Sequence, residues 1–137
     1  MPSELAQYTD RAAQTAGPGR LVVMLYDGFL RFAAQARAAY ERGDAGEGGL
    51  RLTRAQAIVT ELRASLDMSH GELPRNLASL YDYVGERLTA ARIARDPAPI
   101  GEAMAHMKEL RDAWAAIAAT PRPAPAGRPV AGVNLAG

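Results

Sequence analysis

The 137-residue chain contains no cysteine. That excludes disulfides, thiolate metal sites and cysteine nucleophiles together. Aromatic residues are scarce, at 6%, although hydrophobic residues reach 48%. A core can therefore form, but it must be built mainly from Leu, Ala, Val, Ile and Met. Lysine is almost missing: Lys108 is the one lysine among 16 basic residues, which stand against 15 acidic ones for a net charge of +1. Such a balance offers no electrostatic case for nucleic acid or for an acidic membrane surface. The opening MPSELAQYTDR is polar and lacks the apolar core of a signal peptide. No apolar run approaches the roughly 20 residues of a membrane span, because Asp27 and Arg31 interrupt the best candidate. Alternating strand patterns and hairpin turns are also missing. These absences point to a cytoplasmic all-α protein without membrane insertion.

The longest apolar-rich stretch is Leu21 to Tyr40. On a helical wheel its apolar arc covers roughly 200°, about twice the stripe a surface helix needs. Leu21, Leu25, Tyr26, Phe29, Phe32 and Ala36 lie on that arc, while Met24 falls among the polar positions with Asp27, Arg31 and Gln35. The arc expects contact on two sides, from neighbouring helices or from a separate partner. Met24 is the test: exposed, it supports a partner surface; buried in the core, the wide arc is packing.

This helix is predicted over 18–42. Pro18 suits a first turn and Gly43 a C-terminal stop. Gly28 lies inside it, either to admit a close neighbour or as a tolerated glycine. The run Asp44-Ala45-Gly46-Glu47-Gly48-Gly49 reads as a flexible connection. A second helix follows over 50–68, with Leu52, Ala55, Val59, Leu62 and Leu66 at 3-4-3-4 spacing and Ile58 widening the stripe. A third spans 73–94 on Leu77, Leu80, Tyr81, Val84, Leu88 and Ala91, and stops at Asp96-Pro97-Ala98-Pro99. A fourth spans 100–119 on Ile100, Met104, Met107, Leu110, Trp114 and Ile117. Short connections between four helices predict an antiparallel four-helix bundle. Around it lie a short N-terminal helical segment over 1–17, the bundle domain over 18–120, and a Pro-rich, disordered tail over 121–137.

Candidates for chemistry are few. A di-iron site in a bundle needs Glu-x-x-His on two helices, and neither His70 nor His106 has Glu three residues before it. The glycine run after 43 follows a helix and lacks the Lys-Ser/Thr of a phosphate loop. The phrase Leu-Tyr-Asp occurs twice, at 25–27 and 80–82. Asp27 and Asp82 are the remaining acids of interest, as catalytic groups or, more simply, as residues that cap, bond a tyrosine or face water. No catalytic residue, cofactor or metal is expected. What is left over is apolar surface with tyrosines that carry a polar tip, which suits protein binding or ordinary packing.

The motifs Thr15-Ala16-Gly17-Pro18-Gly19-Arg20-Leu21 and Met24-Leu25-Tyr26-Asp27-Gly28 resemble the flagellar secretion chaperones of flagellin, the FliS family. Arg54-Ala55-Gln56, Ile58, Glu61-Leu62 and Ser65-Leu66-Asp67 continue the resemblance in order. So do Asn76-Leu77, Leu80-Tyr81-Asp82-Tyr83, Arg87-Leu88 and Leu110-Arg111-Asp112-Ala113-Trp114. The series covers about residues 5–118. It departs from the family at Gly17, at Pro74 and at Ala91-Arg92, and the tail is longer than the family core needs.

The resemblance implies a non-enzymatic antiparallel bundle that holds the C-terminal segment of newly made flagellin in the cytoplasm. It implies prevention of early polymerisation and delivery to the flagellar type III export apparatus, with an export gate component met as part of the complex. The family's N-terminal segment can cover a groove, and Tyr8 matches its tyrosine. Residues expected to meet the partner are Tyr8, then Leu21, Met24, Leu25, Tyr26 and Phe29 of the first helix. Ile58 and Leu62 of the second and Leu77, Leu80, Tyr81 and Val84 of the third complete the set. Val130, Val133 and Leu135 of the tail are candidates for filling a groove while the partner is absent. A helical adaptor for another flagellar regulator, or a self-associating homodimer, is the alternative.

Overall fold

The computed structural model describes residues 18–119, so the expectations for 1–17, including Tyr8, and for the tail fall outside the described residues. Four helices follow one another: α1 (Pro18–Glu41), α2 (Ala45–Ala64), α3 (Glu72–Ala94) and α4 (Ala98–Ala119). Each joins the next by a short connection, so neighbours run antiparallel. α1 lies along α2 and α4, and α3 lies along the same two helices from the far side. The result is the expected all-α, antiparallel four-helix bundle. Among the described residues no helix is long and apolar enough to cross a membrane.

The helix ends have local causes. α1 stops where Gly43 takes a left-handed φ of 81°, open to glycine without a steric penalty. Its neighbours then close the turn: the Gly43 amide donates to the Tyr40 carbonyl at 3.0 Å and the Asp44 amide to the Ala39 carbonyl at 2.8 Å. α3 stops in the same manner at Arg95, with φ 53°, and the Asp96 amide donates to the Ala91 carbonyl at 3.1 Å. Pro74 sits in the first turn of α3, where the amide it lacks has no acceptor within the helix. The Asp96 side chain accepts the Ala98 amide at 2.9 Å and starts α4.

One segment differs from the sequence reading. α2 begins at Ala45 instead of 50 and ends at Ala64 instead of 68, so the glycine run is helix and not a flexible connection. Asp44 caps it by accepting the Glu47 amide at 3.0 Å. Glu47 and Arg51 pair at 2.6 Å along the first turns. Gly48 is buried, and a Cβ there would stand 2.8 Å from the Tyr40 ring. Glycine is thus what lets the first turn of α2 rest on the last turn of α1. At Gly28, a Cβ would come 3.1 Å from Ile58 Cδ1, which favours the close-neighbour reading of that glycine.

The core gathers Leu25, Phe29, Ala33 and Ala36 of α1 with Leu52, Ile58, Val59 and Leu62 of α2. Val84 and Leu88 of α3 and Ile100 and Met107 of α4 complete it. These are the predicted stripes, and their apolar burial is the main source of stability.

Candidate functional site

Between α2 and α3 runs a groove of about 710 Å³. Val59 and Tyr81 form its apolar floor, with Gly85 in the middle of the α3 wall. A Cβ at Gly85 would meet nothing within 4 Å, so this glycine leaves a notch and relieves no internal crowding. The groove is bracketed by two polar bridges. Gln56 Nε2 donates to Thr89 Oγ1 at 3.2 Å towards one end. Towards the other, Arg63 Nε donates to Asp82 Oδ1 at 2.7 Å and Arg63 Nη2 to Oδ2 at 3.2 Å. The Arg63 guanidinium holds the Asp82 carboxyl below the usual carboxylate range. Thr89 stands seven positions after Asp82, a rise of about 10 Å along the helix, room for roughly two turns of a partner helix.

Arg92 fastens the upper end of the same helix pair. It donates to the Gly49 carbonyl at 3.2 Å, Thr53 Oγ1 at 3.1 Å and Gln56 Oε1 at 3.0 Å. The position marked as a departure from the family pattern is therefore a three-point clamp between α3 and α2.

Behind the floor, Tyr81 reaches across the bundle to Tyr26 of α1, hydroxyl to hydroxyl, at 2.5 Å. Both rings are buried. Burial, and then the bond to Tyr81, push the Tyr26 hydroxyl well above the ordinary tyrosine range, while a hydrogen bond from the Trp114 indole pulls against them. Burial likewise raises Tyr81, and the bond with Tyr26 partly offsets it. Either hydroxyl can donate in this bond; with the Trp114 indole bonded to Tyr26, the chain of contacts links α4, α1 and α3. The two Leu-Tyr-Asp phrases hold equivalent places. Each tyrosine points inward, and each aspartate pairs with an arginine of an adjacent helix: Asp27 with Arg111 at 2.8 Å, Asp82 with Arg63. Interhelical pairing is the role the structure gives these acids.

An unfolded chain releases tyrosine protons near pH 10, whereas the folded chain keeps these two. Their contribution to stability is therefore present below about pH 10 and is lost progressively above it. We expect the urea midpoint to fall steeply above pH 10, and to fall less steeply in the Tyr26→Phe/Tyr81→Phe double variant. Either single variant strands a buried hydroxyl and destabilises by about 1–3 kcal/mol at pH 7. The double variant should lose less than the sum of the singles. Strictly additive losses would show that the two hydroxyls are not coupled.

The residues expected to meet a partner separate into groups. Leu25, Tyr26, Phe29, Ile58, Leu62, Tyr81 and Val84 are buried in the bundle. Leu21, Met24, Leu77 and Leu80 are half-buried. Met24 stands outside the core cluster, between the two outcomes set for it. Among the described residues of the set only Tyr81 lines the groove. Gly85, Thr60, Glu86 and Thr89, which also line it, were not singled out by sequence reasoning; a mid-helix glycine in α3 was the available signal. Among the described residues no group of His, Asp and Glu could hold a metal ion. His70 lies 3.3 Å from Asp67 on the surface, and His106 packs edge-on to Tyr83 at 5.7 Å.

A family model described as flagellar protein FliS matches residues 1–121, leaving 122–137 outside the match. The chain is 36% identical over 107 residues to the flagellar secretion chaperone FliS of Bacillus subtilis, covering 78% of this chain and 80% of that protein. It is 38% identical over 103 residues to the flagellar secretion chaperone FliSB of Pseudomonas aeruginosa, covering 74% and 82%. To the FliS of Salmonella typhimurium it is 34% identical over 110 residues, covering 79% and 82%.

Proposed function

The chain belongs to the FliS family of flagellar secretion chaperones, and on that premise we propose that it binds the C-terminal segment of flagellin in the cytoplasm. The observation that carries the reading is the groove between α2 and α3, with Val59 and Tyr81 as its floor and polar bridges at both ends. An amphipathic helix laid into it places one or two apolar side chains on the floor and keeps its polar face to the water. Each anchor fully buried contributes roughly 1.5–3 kcal/mol, and ordering a disordered partner opposes this by roughly 2–5 kcal/mol or more. One groove therefore supplies only part of a tight complex. The half-buried Leu21, Met24, Leu77 and Leu80 offer further apolar surface for a segment that wraps the bundle.

Holding that segment blocks the packing it would make in a filament, so the chaperone acts by occupancy alone. Release is by handover to a component of the export gate, which meets the complex. Calorimetric titration with flagellin, and with flagellin lacking its C-terminal segment, tests the reading. Binding should be lost with the truncated partner. Undiminished affinity would overturn the proposal, and a stable homodimer indifferent to flagellin would favour the adaptor alternative.

A further inference from the structure

The groove between α2 and α3 is not the same at its two ends. At the upper end it offers hydrogen-bond donors. Arg92 can only donate, so the side-chain carbonyl of Gln56 faces it and the Gln56 amide nitrogen faces Thr89. That nitrogen carries two hydrogens and gives one to Thr89 Oγ1. Thr89 accepts there, which leaves its own hydroxyl hydrogen to give. The Arg92 charge adds to both. At the lower end the groove offers acceptors. Asp82 accepts twice from Arg63, and its two oxygens have room for more. Glu86 also lines the groove; it is exposed and makes no hydrogen bond or ion pair among the described residues. Helical side chains lean toward the N-terminus of their own helix, which brings the Glu86 carboxylate toward the Asp82 end. Arg63 and Asp82 cancel in charge, so Glu86 supplies the net negative charge below and Arg92 the net positive charge above. Arg92 stands six positions after Glu86, a rise of about 9 Å along α3.

We propose that the groove selects the direction of the helix it holds: the flagellin helix lies parallel to α3, its N-terminus at Asp82 and Glu86 and its C-terminus at Thr89 and Arg92. A helix leaves its first four amide hydrogens and its last four carbonyls without partners of its own. It also carries roughly half a positive charge at its start and half a negative charge at its end. Laid parallel to α3, a helix of about two turns sets its free amides against the carboxylates. Its free carbonyls then meet the donors of Gln56, Thr89 and Arg92. Laid the other way, it sets like against like at both ends. The walls themselves do not choose. α2 and α3 run antiparallel, so for either direction one wall's macrodipole favours the occupant and the other opposes it. The side chains toward the ends therefore decide. A charge beside a helix terminus shifts an equilibrium by about two- to fivefold. Two such ends, each favourable one way and unfavourable the other, favour one direction by about tenfold or more. The notch at Gly85 takes an apolar anchor between them. This inference rests on the flagellin reading and adds a direction to it.

Because the chain has no cysteine, a photocrosslinker can be placed at one chosen cysteine. Ser79 and Ile93 stand seven positions to either side of Glu86, on its face of α3, and both are exposed. Full-length protein carrying Ser79→Cys or Ile93→Cys, labelled with a benzophenone and loaded with flagellin, should link to two places in the flagellin C-terminal segment, mapped by mass spectrometry. The place reached from position 79 should come earlier in the flagellin sequence, by roughly 14 residues or about 21 Å of helix. The reverse order, or links from both positions to the same residues, would overturn the proposal while the flagellin reading stands. Flagellin that binds without linking to either position would overturn it as well. No binding at all would remove the flagellin reading, and the direction with it. Charge gives an independent measure. Glu86→Gln keeps the shape and removes the charge, and should weaken binding about threefold at low salt; Glu86→Lys should weaken it about tenfold. Both losses should shrink at about 1 M salt, where charges are screened within about 3 Å. Unchanged or increased affinity in Glu86→Lys would show that no helix N-terminus faces this end, and would also overturn the proposal.

Discussion

Gly85→Trp is expected to lower the affinity for flagellin about a hundredfold, the loss of roughly 2.7 kcal/mol, while the bundle stays folded. The position separates binding from stability. A side chain added at Gly85 meets no atom within 4 Å at its first carbon, so it projects into the groove instead of the core. Replacing a mid-helix glycine also relieves part of its penalty of roughly 1 kcal/mol relative to alanine. The indole then occupies the space over Val59 and Tyr81 that an anchor of the partner would take, and one lost anchor is worth roughly 1.5–3 kcal/mol. Calorimetry against flagellin and a urea melt of the variant are the paired measurements. Unaltered affinity in a folded variant would remove this groove from the binding surface. The flagellin reading itself would still stand or fall on the truncated partner.

Phe29→Ala should destabilise the bundle by about 3–5 kcal/mol, the usual range for removing a buried phenylalanine. Phe29 is fully buried near the middle of α1, and α1 is the helix that lies closest to both of its neighbours. Beside it, Gly28 already brings Ile58 into tight contact, so the helices have little freedom to close over the void. Single domains of this kind are stable by about 5–15 kcal/mol, so the loss should lower the melting temperature by roughly 10–20 °C. Ile93→Ala is the control. That side chain is 78% exposed, and its loss should change stability by about 0.5 kcal/mol or less. Comparable losses in the two variants would mean that Phe29 does not anchor the core.

Both expectations draw on residues whose roles were unequally visible in the sequence. Phe29 stood on a wide apolar arc, and an arc of that width marks a central helix. Gly85 carried no comparable signal. Its meaning depends on how far α3 stands from α2, which local spacing does not encode. The glycine run after Gly43 shows the opposite error. Low helix propensity reads there as a loop, yet Asp44 caps a helix at Ala45 and Gly48 is needed for contact with Tyr40. Propensity is a weak prior, and a close helix crossing overrides it.

The wide arc of α1 expected contact on two sides, and neighbouring helices supply a large part of it. Much of it is core: Leu25, Tyr26, Phe29, Ala33 and Ala36 are all buried. α2 and α4 flank α1, and Tyr81 of α3 meets it from across the bundle. Leu21, Val22, Val23 and Met24, at its start, are only half-buried.

By itself the sequence determined the helical class, the approximate limits of the four main helices and the family. Those features rest on apolar periodicity, on glycine and proline sterics, and on motifs in order, all of which are local along the chain. Tertiary structure alone decided that Tyr26 and Tyr81 meet, that Asp27 and Asp82 pair with arginines of adjacent helices, and where α2 and α3 leave a groove. Each of these depends on the distance between residues far apart in sequence. A periodic pattern says which face of a helix is apolar, but only the packed neighbours determine how much of that face they cover.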